Sequence, residues 1–554
     1  MVTVANYIAM YLSNYGVKNV FMLSGTGSVY LDDAFANEKK MNYVCARHEA
    51  AAVMMAEASG KLTNKIGVVI ATTGPGGTNA IGGVTEAWAD SVPVLILSGQ
   101  VYSFQISEDV RSFGIQGFNI IENVKNITKY AVQITDSKDI KYHLEKAIYL
   151  ANHGRPGPVW IDIPMDVQAK KINADNLRSY FPVKAKNHWV QNRKKIDIVI
   201  EILKEAKKPT IVFGQGVRNA RCVKLFKKII DLLQIPVISA RMGLDILPYS
   251  NKNYMGIGGI RGQKAPAKIL EECDFVLALG TSLTHAFLGK TYNNVNKNAK
   301  LVMVNLDEME LFKPGLKIDY PIKMDIKDFL TTIEKEKKKI NSLKQNKLWK
   351  EKCKRFKNLN NIVTSKMKSN PVNSYYFIDC LNQCSKNNHI FVNDAGSANY
   401  ICSQALVLKA NQRELTSGAF YSMGVALPLA IGASVTMPRS QIIAITGDGS
   451  IELNIQELRT MSKSKLNIKL FILNNGGYAS IRKSQDEIVG GRYTDDADVL
   501  NFEKTAGAFD IKYDKISDYL LIKDQLKKIF SDKAPALIEV ICDPNQDIYD
   551  AYIT

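Results

Sequence analysis

Residues 447–475 read GDGSIELNIQELRTMSKSKLNIKLFILNN, which sets Asp448 between two glycines and Asn475 twenty-seven residues further on. The apolar run QIIAIT ends at Gly447, and IKLFIL ends just before Asn474. Between them, NIQELRTMSKS has helical spacing. Strand, helix and strand within about thirty residues form one right-handed crossover unit, so the two strands are predicted to be parallel neighbours. Asp448 and Asn475 then emerge together at the carboxyl ends, the edge along which open α/β sheets bind ligands. A carboxylate and an amide carbonyl are hard oxygen ligands suited to Mg²⁺ or Ca²⁺, and Mg²⁺ keeps coordination sites for phosphate oxygens. The glycines allow close backbone approach. A GDG alone is compatible with an ordinary turn, but this whole unit predicts a metal clamping a diphosphate.

The same alternation extends outward in three blocks. Short buried runs such as NVFMLSG, MNYVCA, IGVVIATTG, VPVLILSG and GRPGPVWIDIP fill residues 1–168, and PTIVFGQG, IPVISA, DFVLALG and KLVMVNLD fill 190–330. HIFVNDAG, QIIAITGDG, IKLFILNN and PALIEVICD occupy the last block, 369–554. Apolar runs separated by helical patterns imply parallel sheets covered on both faces. The expected fold is therefore α/β, three consecutive doubly wound parallel-sheet domains, with a basic helical linker at 331–368.

The composition, 46% hydrophobic and 23% charged, is that of a globular protein, and 554 residues exceed one core. No apolar run approaches the eighteen residues of a membrane span. The start, MVTVANYIAMYLSNYGV, reads as an amphipathic helix rather than a secretion signal. Eight scattered cysteines without a CxxC pair read as core residues, Cys380 and Cys384 among them. A cytoplasmic protein is expected. The net charge of +18 is concentrated in TTIEKEKKKINSLKQNKLWKEKCKRFK, with eleven basic residues against three Glu. That segment reads as a solvated linker without a nucleic-acid-binding motif, so no nucleic-acid or membrane partner is expected.

The GDGS…NN unit resembles the cofactor motif of the thiamine-diphosphate-dependent enzymes, and the likeness covers nearly the whole chain, nearest to the acetohydroxyacid (acetolactate) synthase branch. The resemblance implies pyrimidine-binding, central and diphosphate-binding domains, with thiamine diphosphate and Mg²⁺ as cofactors. It makes Asp448, Asn475 and the Gly477 carbonyl the metal ligands, beside Gly447, Gly449, Ser450 and Tyr478. In YVCARHEAAAVMMAEASGK it makes Glu49 the catalytic acid. A carboxyl hydrogen-bonded to the pyrimidine nitrogen favours the imino form, whose nitrogen removes the thiazolium C2 proton before attack on a 2-keto acid and loss of carbon dioxide. TTGPGGTNAIGGVTEAWADSVPV resembles the pyrimidine-side loop, with Gly74, Pro75 and Asn79. NDAGSANY resembles the stretch near the diphosphate, with Gly396, Ser397 and Ala398. LTSGAFYSMGVALPLAIGA supplies Ser422 and Met423, the latter as the wedge that bends the cofactor. Because the family builds its site between two chains, a homodimer or homotetramer is implied.

Departures from the family narrow the reaction. Pyruvate decarboxylases use adjacent histidines as a proton source. This chain has six histidines, none adjacent, and EDVRSFGIQGFN offers Gln116 instead. Without that proton source carboligation is favoured, with Gln116 both catalytic and substrate-binding beside Gly27, Ser480 and Arg482. In NNGGYASIRKSQDE the synthase tryptophan becomes Ser484, and the synthase Glu after the glutamine becomes Gly117. The Arg- and Asp-rich flavin segment becomes GTSLTHAFLGK, which argues against FAD, although VFGQGVR leaves room for some nucleotide. The expected activity is transfer of an acyl-anion unit from pyruvate or a related 2-keto acid to a carbonyl acceptor, a sugar nucleotide being one candidate. Biosynthetic acetolactate synthase or another lyase of the family is the alternative. Arg482 and Lys483 are candidates to meet an anionic acceptor.

Overall fold

The computed structural model describes residues 1–552 except 108, 112, 184–188, 290–294, 342–345, 360 and 495–497. Three six-stranded sheets follow one another, and every strand pair within them is parallel. The first contains Asn19–Met22 (β1), Asn42–Cys45 (β2), Gly67–Ala71 (β3), Val94–Gln100 (β4), Ala131–Gln133 (β5) and Val159–Pro164 (β6), in the order β2-β1-β3-β4-β6-β5. The second contains Pro209–Phe213 (β7), Val237–Ser239 (β8), Tyr254–Ile257 (β9), Phe275–Leu279 (β10), Lys300–Asn305 (β11) and Tyr320–Lys323 (β12), in the order β9-β8-β7-β10-β11-β12. The third contains Ile390–Asn393 (β13), Arg413–Leu415 (β14), Ile442–Gly447 (β15), Ile468–Asn474 (β16), Lys512–Ile516 (β17) and Ala536–Ile541 (β18), in the order β14-β13-β15-β16-β18-β17. The outer domains thus share one strand order, 2-1-3-4-6-5. The central domain has the dinucleotide-fold order 3-2-1-4-5-6.

Central strands such as β3 (GVVIA) and β6 (VWIDIP) are buried along their length, as strands covered on both faces must be. Two helices link the outer domains. Glu49–Thr63 (α1) follows β2, starts with His48 accepting the Ala50 N–H through its ring, and ends on left-handed Asn64. Pro75–Ala89 (α2) follows β3 and has proline in its first turn, where a missing N–H costs nothing. Ala426–Thr436 (α3) follows β14 and is apolar all round, the pattern of a helix covered on every side. It packs on α1, its topological counterpart, so closely that a Cβ on Gly432 would lie 2.2 Å from the Met55 carbonyl oxygen. One apolar core runs from the first domain through this helix pair into the third.

The basic segment is helical, but it is not wholly solvated. Its helix Lys347–Leu359 buries Trp349 and Cys353, and the Trp349 indole N–H donates to the Pro209 carbonyl at 3.1 Å. Spacing of four residues between those two side chains gives the helix an apolar stripe that docks on the central domain.

Candidate active site

In the third domain β15 and β16 pair directly, with Gly447 opposite Leu473, so Asp448 and Asn475 meet at one edge. Asp448 is 3% exposed. One of its carboxylate oxygens accepts the Gly449 N–H at 2.8 Å, and the other accepts those of Asn475 and Gly477, both at 2.9 Å. Burial pushes the Asp448 carboxyl above its ordinary range, while these backbone N–H groups pull the other way. Gly476 (φ 76°) and Gly477 (φ 104°) turn the loop through the left-handed region that favours glycine. A Cβ on Gly449 would lie 2.6 Å from the Tyr478 ring, whose hydroxyl donates to the Gly449 carbonyl at 3.3 Å. The Gly477 carbonyl accepts the Ala479 N–H at 2.8 Å and retains a second lone pair for a cation. A buried carboxylate, an amide and a backbone carbonyl on one tight loop make a hard-oxygen set that fits Mg²⁺.

Arg482 lies on the short helix Ala479–Ser484 (α4), which follows this loop. Its guanidinium is buried and donates to the carbonyls of Gly476 and Asn475, the latter at 3.0 Å. These contacts turn it towards the loop. Lys483 pairs with Asp547 at 3.2 Å. Ser480 shares a hydrogen bond with Ser397 at 3.0 Å across the mouth of the edge, beside left-handed Gly396 (φ 63°). The Ala398 side chain is packed in the third-domain core, leaving its backbone to face a ligand. Met423 is 41% exposed at the same rim.

Asp394, at the end of β13, is the organiser that the sequence reading missed. Fully buried, it accepts the N–H groups of Ala395, Gly424 and Ala426 and the hydroxyls of Thr446 and Ser450, all within 2.6–3.0 Å. It thereby ties together the loops after β13, β14 and β15. Ser450 and Ser422 spend their hydroxyls internally, on Asp394 and Glu86 respectively. An acid at a strand end just before Ala-Gly was the available signal.

The first domain carries the other set. Glu49 is the first residue of α1, 5% exposed, and accepts the Asn79 side-chain N–H at 3.1 Å. Gly76 packs against Thr72, whose Cγ2 would lie 2.8 Å from an added Cβ, with the Glu49 carboxylate at 3.4 Å. Gly74 has φ 59° and packs against Gln116, whose carbonyl oxygen would be 2.5 Å from an added Cβ. Pro75 then starts α2. Gln116 is itself left-handed (φ 64°) and exposed. Gly27 is buried, donating its N–H to Thr72 at 3.1 Å and accepting Gln168 at 2.7 Å. Its backbone N–H and carbonyl are thus both engaged within the domain. Glu457, also unread, crosses between the outer domains: its buried carboxylate accepts the N–H of Arg47 at 2.7 Å and of His48 at 3.1 Å, just before Glu49.

A large cleft lies elsewhere. About 1520 Å³ in volume, it opens at the carboxyl ends of β7 and β10, the switch point of the central sheet. Gly214, Gly216 and Gly280 line it, yet backbone packing alone accounts for the first two. A Cβ on Gly214 would meet the Gly280 carbonyl at 2.5 Å, and one on Gly216 the Gly280 Cα at 2.6 Å. Arg155, also lining it, pairs with Asp307 and Glu310 at 3.0 and 3.1 Å. The GTSLTHAFLGK segment contributes Thr281–Thr284 to the wall, and its Lys290 lies outside the described residues.

Sequence comparison places three family profiles along the chain in the same order as the three sheets. The thiamine pyrophosphate enzyme N-terminal TPP binding domain matches residues 2–123, the central domain 196–333 and the C-terminal TPP binding domain 394–540. The acetolactate synthase large subunit of Lactococcus lactis is 31% identical over 97% of this chain and 92% of its own length. The Buchnera aphidicola (Schizaphis graminum) large subunit is 32% identical over 88% and 85%. Acetolactate synthase isozyme 3 large subunit of Escherichia coli is 29% identical over 89% and 86%.

Proposed function

This chain belongs to the thiamine pyrophosphate enzymes, on a branch with the acetolactate synthases, and from that premise we propose that it is a decarboxylating carboligase. It takes pyruvate or a related 2-keto acid, releases carbon dioxide and passes the remaining acyl-anion unit to a carbonyl acceptor. The observation that carries this reading is the pairing of complementary edges: Glu49 with Asn79 on one sheet, and Asp448 with Asn475 and Gly477 on the other.

When bound, thiamine diphosphate supplies the electron sink for the carbanion left by decarboxylation. Asp448, Asn475 and Gly477 would hold its diphosphate by way of Mg²⁺, and Tyr478 keeps Gly449 against that site. Glu49 would hold a proton at the pyrimidine nitrogen, and Asn79 fixes the direction of its carboxyl. Gln116 presents an amide, which is no acid at neutral pH, so the acyl-anion unit is kept for the acceptor.

The acceptor is larger than pyruvate in this reading. Support comes from Ser484, whose hydroxyl folds back on the Ser480 carbonyl at 3.1 Å, and from Gly476, where a Cβ would meet nothing within 4 Å. A nucleotide-sugar ketone is one such acceptor. The relatives' name makes pyruvate the reference. Mass spectrometry of products formed with pyruvate, Mg²⁺ and thiamine diphosphate, with and without the sugar ketone, separates the cases. A two-carbon adduct appearing only with the ketone supports the larger acceptor. Acetolactate alone replaces it with pyruvate, and absence of both carbon dioxide and adduct rejects the carboligase.

Two chains complete the site in this proposal, as a homodimer or a pair of dimers, Glu49 of one facing Asp448 of the other. Support comes from the contacts of Glu49 with Asn79 and of Asp448 with its own loop, each kept within its domain, and from Met423 standing exposed. Co-expressing Glu49→Gln and Asp448→Ala chains tests it, since mixed dimers regain one intact site. Activity no greater than in either variant alone rejects the shared site.

A further inference from the structure

Four buried ionisable side chains form a cluster outside both sets: Glu57 and Lys61 on α1, Glu86 on α2 and Asp90 at its end. The Lys61 ammonium sits among the carboxylates, pairing with Glu57 and lying 2.7 Å from Asp90. The three carboxylates lie close enough together to hold a metal ion, but Lys61 already supplies their cation. What the cluster grips is a third-domain loop. Lys61 donates to the Thr416 carbonyl at 2.7 Å, Asp90 accepts the N–H of Gly418 at 3.0 Å and of Ala419 at 2.9 Å, and Glu86 accepts the Ser422 hydroxyl.

From the other side, Asp394 holds Gly424 and Ala426. Met423 stands between the two grips. A methionine side chain has three rotatable bonds and shapes a ligand only if its backbone is fixed. Burying this many charges gives stability that apolar packing would supply as well or better, so orientation is the better account of the cluster. We propose that Lys61, Glu86 and Asp90 are positioning residues that hold residues 416–422 of the third domain, so that Met423 meets thiamine diphosphate in one place. The proposal rests on the cofactor reading above.

The test uses the full-length protein with saturating Mg²⁺. Affinity for thiamine diphosphate, kcat and pyruvate KM are measured for the wild type, Glu86→Leu, Ser422→Ala, their double variant and Glu86→Gln. Losing the hydrogen bond is expected to weaken cofactor affinity by about tenfold in each single variant. The double variant should be no weaker, because both remove one interaction. Glu86→Gln, which can still accept, should stay within about twofold of the wild type, and pyruvate KM should hold throughout. Lowered Tm with unchanged cofactor affinity, or effects that add in the double variant, would overturn the proposal. Should Glu86→Leu not fold, hydrogen exchange in the wild type decides: protected Gly418 and Ala419 amides support the grip, and rapid exchange there rejects it. A wild type that binds no thiamine diphosphate fails the cofactor reading itself, and is recognised before any variant is compared.

Discussion

The first and third domains have the same strand order and opposite equipment. After the third strand of each sheet, the first domain places Thr72-Thr73-Gly74-Pro75 and the third places Gly447-Asp448-Gly449-Ser450. After the second strand, one presents Glu49 at the start of α1 and the other Met423 ahead of α3. The sheet therefore decides where a loop emerges, and a handful of residues in that loop decide whether it presents a buried carboxyl, a hard-oxygen set or an exposed apolar side chain. The central domain, with a different order, puts a large cleft at its own switch point.

A strict division of labour between the two edges can be broken in order of expected effect. Glu49→Gln should slow cofactor C2-proton exchange by roughly 10²–10⁴-fold, the usual worth of a positioned acid–base group, with cofactor affinity little changed. Near-normal exchange by quenched-flow NMR would remove Glu49 from the chemistry. Asp448→Ala should weaken Mg²⁺-dependent cofactor binding by about 100-fold, as expected for loss of one partner of a buried charge pair. Titration calorimetry reads this, and unchanged Mg²⁺ dependence would dissolve the contrast between edges.

Smaller effects sharpen it. Gly432→Ala forces a Cβ against the Met55 carbonyl and should cost about 2 kcal/mol in urea unfolding, because it pries apart α1 and α3. Arg482→Ala should raise the Mg²⁺ half-saturation by about tenfold if the guanidinium braces the metal loop. A raised acceptor KM with unchanged Mg²⁺ demand would restore the acceptor role. The mildest is a pH effect. Burial raises the Glu57 carboxyl from 4.5 to about 8, so between those values the native state keeps a proton that the unfolded chain has released. Stability therefore falls as pH rises through that window, and the fall ends near pH 8. Glu57→Gln should flatten that slope in denaturation curves recorded at pH 6 and pH 8.

Most strands legible in the sequence have a neighbour on each side, with β2 the one edge strand among them. Those passed over are β5, β9, β12, β14 and β17, each at a sheet edge. AVQ, YPIK and KYDKI have too little apolar content to mark a strand, because an edge strand buries fewer faces and takes its pairing from a neighbour. The meeting of Asp448 with the Asn475 loop was readable because one crossover unit contains both. Asp394 and Glu457 were not, since their partners lie in loops and domains far apart in sequence. Arg482 was legible as a charge at a helix start, but its direction depends on the glycine turn before it, which spacing does not reveal.

The tight seating of α3 on α1 also sets a timetable. The face of α1 that α3 covers waits on the ribosome for a helix roughly 370 residues further along, about 20–75 s at ordinary elongation rates of 5–20 residues per second. Until then Ala51, Ala52 and Met55 lack part of the core in which they end. A nascent chain of this protein thus carries an unfinished apolar surface for most of its own synthesis, and slowing translation after residue 63 should lengthen its dependence on chaperones.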